Sequence, residues 1–337
     1  MGRNLKKRHG HSGGVRVAPL FVPEPEQMRL WPSVSGNTIN GLGEANTRRP
    51  SPIYWHAPDA TPHGPLQKWF YARTATAGES VAEARRERQR AIDEPLEEIS
   101  PNRISKSAED FSAEMKSFAL TQANAVGVAR MKAEWVFEGF DVPNFAWLIV
   151  LGVQHDFDAM ATAPSEKSLT EVTLQYARGT RAAKSVANWL RRQGWDAVPF
   201  GGPMAGSFIL IPAAIEAGLG ELGKHGSLIH RELGANFRLA SVLTNAPLLP
   251  DKRDVFGADD FCASCRLCTD ACPPDAIAPD KQLVRGEQRW YVDFDKCLPY
   301  FNENLSCAAC LPACPFSRPE MGKRLVEKLA LKRNREP

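Results

Sequence analysis

The stretch 262-CASCRLCTDACP-273 determines how the C-terminal part of this chain folds. It follows the pattern C-x2-C-x2-C-x3-C-P, the bacterial ferredoxin spacing for iron–sulfur ligation, in which the fourth cysteine binds the other cluster. A second run, 307-CAACLPACP-315, follows C-x2-C-x3-C-P, and Cys297 lies ten residues upstream of it. The eight cysteines of the chain therefore form two sets of four.

These two cysteine runs predict two 4Fe–4S clusters, because a tight turn must point three thiolates at one cuboidal cluster. The proline after the last cysteine of each run ends that turn. The alternative is a pair of structural zinc sites, but those usually separate two C-x2-C pairs by a dozen or more residues. The first cluster is assigned Cys262, Cys265, Cys268 and Cys314, and the second is assigned Cys272, Cys297, Cys307 and Cys310.

Length and charge narrow the class of protein. At 337 residues the chain can form two or more structural units, and its net charge of +3 indicates no broad nucleic-acid-binding face. Basic residues gather near both ends, as in solvated tails. No run of 18 apolar residues predicts a membrane span. Arg48 and Arg49 precede Pro50 and not an apolar segment, so a twin-arginine signal is excluded. We therefore expect a cytoplasmic protein, where cysteines more often bind metals than form disulfides.

The pattern along the chain predicts an α+β fold. Helical periodicity is seen over 80–92, 105–120 and 165–194, and Gly179 leaves open a break of the last stretch into two abutting helices. The apolar run 145-FAWLIVLGV-153 predicts a buried strand, and 195-WDAVPF-200 a short one. The predicted domains are an N-terminal arm with a helix at 1–100, a core at 101–255, a cysteine module at 256–320 and a basic tail at 321–337.

The N-terminal arm is rich in proline, glycine, asparagine and arginine over residues 1–66 and shows little periodicity. Its tryptophans, Trp31 and Trp55, together with Trp69 just beyond, indicate that parts of this region pack against another surface. A bound cofactor or a second copy of the chain would each provide such a surface, so a homodimer is among the expectations.

The stretch 217-AGLGELGKHG-226 contains the spacings of two phosphate-binding loops. A dinucleotide fingerprint must follow a strand, but 212-PAAIEA-217 predicts a helix, and no acidic residue stands near position 240. A Walker loop needs Ser or Thr after its lysine, and here His225 follows Lys224. The stretch is therefore a helix end followed by a tight turn, and its glycines suggest a large flat ligand lying against the backbone.

The order of these motifs resembles a known family. The glycine loop, 227-SLIHRELGANFRLASVLTNAPLLPD-251 and 290-WYVDFDKCLPYFNENLSCAACLPACPFSRP-319 are similar to the cobalamin-dependent reductive dehalogenases, most of all to their cytosolic, catabolic branch. The likeness covers roughly residues 120–320. The epoxyqueuosine reductases of tRNA modification share the glycine loop, both clusters and the corrinoid, and form a related family.

The resemblance implies a nitroreductase-like α/β core that holds base-off cobalamin beside a ferredoxin-like module. The chain has no D-x-H-x-x-G segment that would supply a histidine to cobalt, which agrees with the base-off form. The loop would then lie along the corrin and its nucleotide tail. The cofactor-binding residues implied in this way are Gly218, Gly220, Gly223, Lys224, His225, Gly226 and Met204.

The resemblance also implies two catalytic residues. Tyr176 matches the tyrosine that donates a proton over the cobalt face, and its alternative role is a core aromatic on a helix. Arg238 matches an arginine of the dehalogenases that would stabilise the tyrosinate, and its alternative role is a surface salt bridge. Epoxyqueuosine reductases tend to have an apolar residue at the position of Arg238.

The sequence departs from the family at one position. Dehalogenases carry a lysine or asparagine about 14 residues before the glycine loop, and the tRNA enzymes carry an aspartate, whereas Met204 stands near that place here. Ser207, His155 and His225 are candidates for the missing polar group, although a lone histidine is more often structural.

The expected function is that of a corrinoid-dependent iron–sulfur reductase of the dehalogenase type. Electrons from a separate ferredoxin or flavodoxin would pass through the clusters and reduce cobalt to Co(I), which would cleave a carbon–halogen bond of an organohalide, most plausibly a halogenated aromatic. Two alternatives stay open: epoxyqueuosine reduction, and a non-catalytic electron-transfer or corrinoid-handling protein. We expect no membrane partner and no nucleic-acid partner.

Overall fold

The computed structural model describes residues 21–201 and 206–333. Its helices are α1 (Pro25–Arg29), α2 (Gly36–Ile39), α3 (Gly64–Thr74), α4 (Glu79–Asp93), α5 (Ala108–Leu120), α6 (Phe157–Met160), α7 (Glu166–Arg192), α8 (Leu210–Glu216), α9 (Ala258–Ser264), α10 (Leu267–Asp270), α11 (Phe294–Glu303), α12 (Cys310–Ala313) and α13 (Met321–Arg333). Its strands are β1 (Ala125–Arg130), β2 (Trp147–Gln154), β3 (Ala197–Phe200), β4 (Glu221–Leu222), β5 (Leu228–Ile229), β6 (Phe237–Thr244), β7 (Gln282–Val284) and β8 (Glu287–Arg289). The mixture of helix and strand confirms the α+β class. No helix among the described residues has the length and apolar character needed to cross a membrane.

A four-stranded antiparallel sheet in the order β1-β2-β6-β3 forms the centre of the core. β2 is buried on both faces, which explains its unbroken apolar sequence. Ile149 and Leu151 pack beneath α5 and α7, whereas Leu148 and Val150 pack on the opposite face beneath α8. The prediction of a buried strand at 145–153 is confirmed.

α7 runs without interruption over 27 residues, so the break left open at Gly179 does not occur. The helix begins with a capping box between Ser165 and Ser168. Gly179 faces the sheet, and a Cβ atom there would lie 3.4 Å from the Cβ of Ala240. The packing of α7 on the sheet outweighs the roughly 1 kcal/mol by which glycine disfavours a helix interior.

The cysteine module packs directly on the core. One hydrophobic cluster joins Met160 and Val172 of the core to Phe256, Trp290 and Phe316 of the module. The apolar interior is therefore continuous across the predicted boundary at residue 255, and the domain limits themselves stay predictions. The predicted tail contains α13, whose Val326 is buried in the same cluster.

The arm packs on α11 of the cysteine module. Trp31 and Trp55 lie against a cluster that contains Phe294 and Leu298 of that helix. Tyr54 donates a hydrogen bond to the Oδ1 atom of Asn302 over 2.8 Å. The packing predicted from Trp31 and Trp55 therefore has its partner inside this chain, and neither a cofactor nor a second subunit is needed to explain it.

Candidate functional site

Short helices and turns carry the eight cysteines, none of which forms a disulfide. Cys262 lies in α9, Cys268 in α10 and Cys297 in α11. Cys307 belongs to the four-residue segment 305–308, in which every residue has positive φ although none is glycine. Such left-handed backbone costs roughly 1–2 kcal/mol per residue. The surrounding contacts must compensate for that cost to hold Cys307 in place.

The structure brings the first predicted set together. Cys262, Cys265, Cys268 and Cys314 line one cavity, which Phe261 and Phe316 help to close. Burial, together with repulsion from the neighbouring thiolates of this set, raises the pKa of Cys262 to about 11 and that of Cys314 to about 12. The last cysteine of the second run therefore lies with the first three cysteines of the first run.

The second predicted set is grouped in the same way. Burial raises the pKa of Cys297 to about 12, with added repulsion from Cys272 and Cys307. Burial likewise holds the pKa of Cys310 well above its ordinary value, with repulsion from the other three thiols of the set and, more weakly, from Cys268. The influence of Cys268 shows that the two sets are neighbours.

The donor set fits two iron–sulfur clusters. Thiols with raised pKa values stay protonated unless a cation replaces the proton, and metal ligation requires the thiolate. Iron in a four-thiolate site supplies that positive charge.

Contacts with other atoms of the protein explain why glycine occurs at three positions of the loop. Gly218 and Gly220 have φ values of 77° and 124°, and a Cβ atom at either would collide with a backbone carbonyl oxygen, that of Lys252 or Ile229. A Cβ at Gly223 would strike the ring of His225. These glycines therefore give no support for a flat ligand, because protein atoms occupy the space that their side chains would take. A role for the loop towards a corrinoid stays a prediction that rests on the resemblance.

Two of the three charged or titratable side chains of the loop, Lys224 and His225, point towards the first cysteine set. Lys224 is 1% exposed, and its Nζ atom donates a hydrogen bond to the carbonyl oxygen of Cys265 over 2.9 Å. The same ammonium lies 4.9 Å from the centroid of the Trp290 ring. His225 is buried beside it, and burial lowers its pKa to about 4. Both residues line the cavity of the first cysteine set.

Glu221 was not predicted from the sequence and connects the loop to the cysteine module. It is 8% exposed, and its Oε2 atom accepts hydrogen bonds from the backbone N–H groups of Phe256, Gly257 and Ala258 at 2.8–3.0 Å. These groups stand at the start of α9, which carries Cys262. A single buried carboxylate therefore fixes the helix that presents the first ligand.

We expect Glu221→Gln to destabilise the iron-loaded protein by about 2–3 kcal/mol, since an amide oxygen still accepts from the buried N–H groups but the charge assistance of these hydrogen bonds is lost. Chemical denaturation followed by circular dichroism measures this difference. Glu216→Gln is the matched control: Glu216 pairs at the surface with Arg253, so its loss should cost at most about 1 kcal/mol. Equal effects of the two substitutions would contradict the anchoring role of Glu221.

The predicted catalytic pair comes together between α7 and β6. Arg238 is the register partner of Val153 in β2, and its guanidinium carbon lies 4.8 Å from the ring centroid of Tyr176. Arg88 of α4 approaches the same ring at 5.6 Å. The Nε atoms of both arginines are buried without a hydrogen-bond partner. Arg88 lies outside the region of family resemblance, and its charged helix gave no signal of this contact.

The remaining candidates are placed as follows. Met204 falls in 202–205, outside the described residues. The carbonyl oxygen of Ser207 accepts a hydrogen bond from the backbone of Phe137 over 2.8 Å. The side chain of His155 is fully buried with its Nδ1 atom 3.6 Å from the carboxylate of Glu171, and burial lowers its pKa to about 4.

A cleft of about 720 Å³, open to solvent, borders the outer side of the glycine loop. Leu222 and Gly226 of the loop, α8 and Trp290 of the module line it. Tyr176 and Arg238 are not among its lining residues. The outer side of the loop and the tyrosine therefore do not meet in this cleft.

Comparison with known proteins supports the sequence-based expectations. The model of the 4Fe-4S dicluster domain matches residues 261–317, which contain all eight cysteines, so zinc sites are not supported. A tetrachloroethene reductive dehalogenase of Desulfitobacterium hafniense is 32% identical over 218 residues, 60% of this chain and 38% of that protein. The likeness to reductive dehalogenases is confirmed.

Two further relatives complete the comparison. An epoxyqueuosine reductase of Leadbetterella byssophila is 32% identical over 126 residues, 32% of this chain and 37% of that protein. The solved structure of a catabolic reductive dehalogenase in complex with 3-bromo-4-hydroxybenzoic acid has a TM-score of 0.72 and 22% identity, over 90% of this chain and 47% of that one. The reductive dehalogenase fold is therefore shared. The chain spans about two fifths of the length of the dehalogenases it matches.

Proposed function

We propose that this protein is an oxidoreductase that removes a halogen atom from an organic compound. The carbon–halogen bond breaks, two electrons and one proton are consumed, and the products are the hydrogenated carbon and a halide ion. The observation that carries the proposal is the contact of Arg238 with Tyr176, in a chain similar to reductive dehalogenases.

The electrons would pass through two 4Fe–4S clusters in a fixed order. The second cysteine set is half-buried throughout, whereas three of the four cysteines in the first set are buried. We therefore assign electron entry from a ferredoxin or flavodoxin to the second cluster. The nearness of Cys268 to Cys310 then allows transfer to the first cluster.

A base-off corrinoid, when bound, would supply the metal chemistry that breaks the carbon–halogen bond. The residues proposed to hold it are those of the loop 218–226 and, from the family resemblance alone, Met204. The buried Nε atoms of Arg238 and Arg88, which lack partners beside Tyr176, fit a polar or anionic group bound at this point.

The chain's own contribution is proton delivery. The Tyr176 hydroxyl would give its proton to the carbon that loses the halogen. The positive guanidinium of Arg238, which lies over the ring, would attract the negative tyrosinate left behind. Arg88 adds a second positive charge on the same ring.

Two substrate classes, halogenated aromatic compounds and chlorinated ethenes, have to be compared directly. A halogenated aromatic compound follows from the resemblance to the catabolic branch, whereas the matching curated dehalogenases are named for tetrachloroethene and trichloroethene. We propose the aromatic class, and turnover of a bromophenol beside tetrachloroethene under the same reductant decides between them.

Epoxyqueuosine reduction is the second candidate, because a relative of that name matches 126 residues of this chain. Arg238 is charged where that family tends to be apolar, which favours dehalogenation. Restoration of queuosine in a strain lacking the reductase would favour the tRNA reaction instead.

Metal content tests the cofactor set before any turnover is attempted. After anaerobic preparation with cobalamin supplied during folding, we expect about eight iron atoms and one cobalt per chain. The same iron without cobalt would leave an electron carrier and would overturn the proposed dehalogenation.

A further inference from the structure

We propose that His225 donates a hydrogen bond from Nε2 to a sulfur atom of the first iron–sulfur cluster, and that this bond raises the reduction potential of that cluster. The inference rests on the proposed ligand set of Cys262, Cys265, Cys268 and Cys314 and is independent of whether the protein dehalogenates anything.

The position of the imidazole points to the cluster. His225 is 6% exposed and lines the cavity that these four cysteines border. Its Nε2 atom is buried and has no hydrogen-bond partner in the protein. Buried polar groups in native proteins nearly always have partners, so an orphaned nitrogen at a cluster cavity indicates a bond to the bound group.

The hydrogen bond at the other ring nitrogen fixes the tautomer. The Nδ1 atom of His225 accepts a hydrogen bond from the backbone N–H of Ser227 over 3.1 Å. A neutral imidazole has one donor and one acceptor, so Nε2 carries the proton and is the donor. Lys224, the other polar side chain at this cavity, already donates to the carbonyl oxygen of Cys265.

The hairpin between β4 and β5 holds the ring in this orientation. The backbone N–H of Gly223 donates to the carbonyl oxygen of Ser227 over 2.8 Å, and that of Gly226 to the carbonyl oxygen of Gly223 over 2.9 Å. A Cβ atom at Gly223 would lie 2.6 Å from Cε1 and 2.8 Å from Nε2 of His225. The glycine is therefore what admits the imidazole to the cavity.

The charge of the reduced cluster explains why a hydrogen bond raises its reduction potential. Reduction adds a negative charge to the cluster sulfurs, and a donated hydrogen bond stabilises the reduced form more than the oxidised one. Loss of the donor should therefore lower the potential of the first cluster and leave that of the second unchanged.

The test is a redox titration of anaerobic, iron-loaded protein followed by electron paramagnetic resonance. We expect His225→Leu to lower one of the two midpoint potentials by about 59 mV, which is a tenfold change for a one-electron couple. His225→Gln, which keeps a side-chain donor, should recover part of the shift. His230→Leu is the control. The Nδ1 atom of His230 also accepts hydrogen bonds from backbone N–H groups, but His230 does not line this cavity.

A second measurement uses the unmodified sequence and does not depend on how the variants fold. With 15N-labelled histidine, the reduced first cluster should show a coupling to a histidine nitrogen, together with a proton that exchanges in D2O. Unchanged potentials in an iron-replete His225→Leu protein, an equal shift in His230→Leu, or the absence of the nitrogen coupling would each overturn the inference. Because no organohalide is used, a failure here is distinct from a failure of the proposed dehalogenation.

Discussion

Tyr176→Phe should lower the rate of halide release by about 100- to 10,000-fold, the usual contribution of a positioned proton donor. The substitution removes only the hydroxyl, so the ring keeps its contact with Arg238 and the fold is preserved. The measurement is halide release per cobalt under a low-potential reductant, with iron and cobalt content determined for each preparation.

The matched control for this substitution is Tyr71→Phe. Tyr71 is 39% exposed and is close enough to Arg88 that this guanidinium acts against the pKa increase caused by burial. It therefore lies in the same neighbourhood without a proposed catalytic role, and its loss should change the rate less than about threefold, within the roughly 0.5 kcal/mol typical of surface substitutions. A Tyr176→Phe enzyme that keeps its full rate with both metals present would remove tyrosine from the mechanism.

Pairs of cysteine substitutions should show which thiols share a cluster. Cys262→Ala combined with Cys314→Ala removes two ligands of the first set, so about four of eight iron atoms should remain. Cys262→Ala combined with Cys272→Ala removes one ligand from each set, so both clusters should be lost or damaged. Iron content and the resonance spectrum of the reduced protein distinguish the two variants.

The two double variants also serve as controls for each other, because each changes two cysteines of the same module. If the variant with both Cys262→Ala and Cys272→Ala kept one cluster intact, the four cysteines of the first run would ligate a single cluster by themselves. The crossed assignment, and with it the position of Cys314 beside His225, would then be wrong.

The sequence predicted those parts of the site that depend on local spacing or on motif order. The ferredoxin spacing assigns the last cysteine of each run to the other cluster. The grouping of Cys314 with Cys262 could therefore be expected before any coordinates were known. The pairing of Tyr176 with Arg238 came from family resemblance, because residues 62 positions apart on a helix and a strand carry no local signal. Arg88 had no such guide: within a charged helix pattern it resembles any solvated arginine.

The glycine loop shows why one inference lost its support. A glycine can indicate that a side chain would not fit at its position. The sequence does not tell whether a ligand or another part of the protein occupies the space that the side chain would need. At Gly220 the carbonyl of Ile229 fills it, and that carbonyl is brought near only when the hairpin closes. The break left open at Gly179 does not occur for a related reason, since tertiary packing of α7 on the sheet outweighs a weak local preference.

The N-terminal arm packs on α11, a helix that is synthesised much later than the arm itself. Gln27 bonds to the carbonyl of Pro299 across 272 positions of the chain, so the arm leaves the ribosome long before its partner helix exists. Contacts of such high sequence separation form late, because loop closure must precede them. We expect the arm to dock on α11 only after that helix has formed, so that this docking is among the last steps of folding.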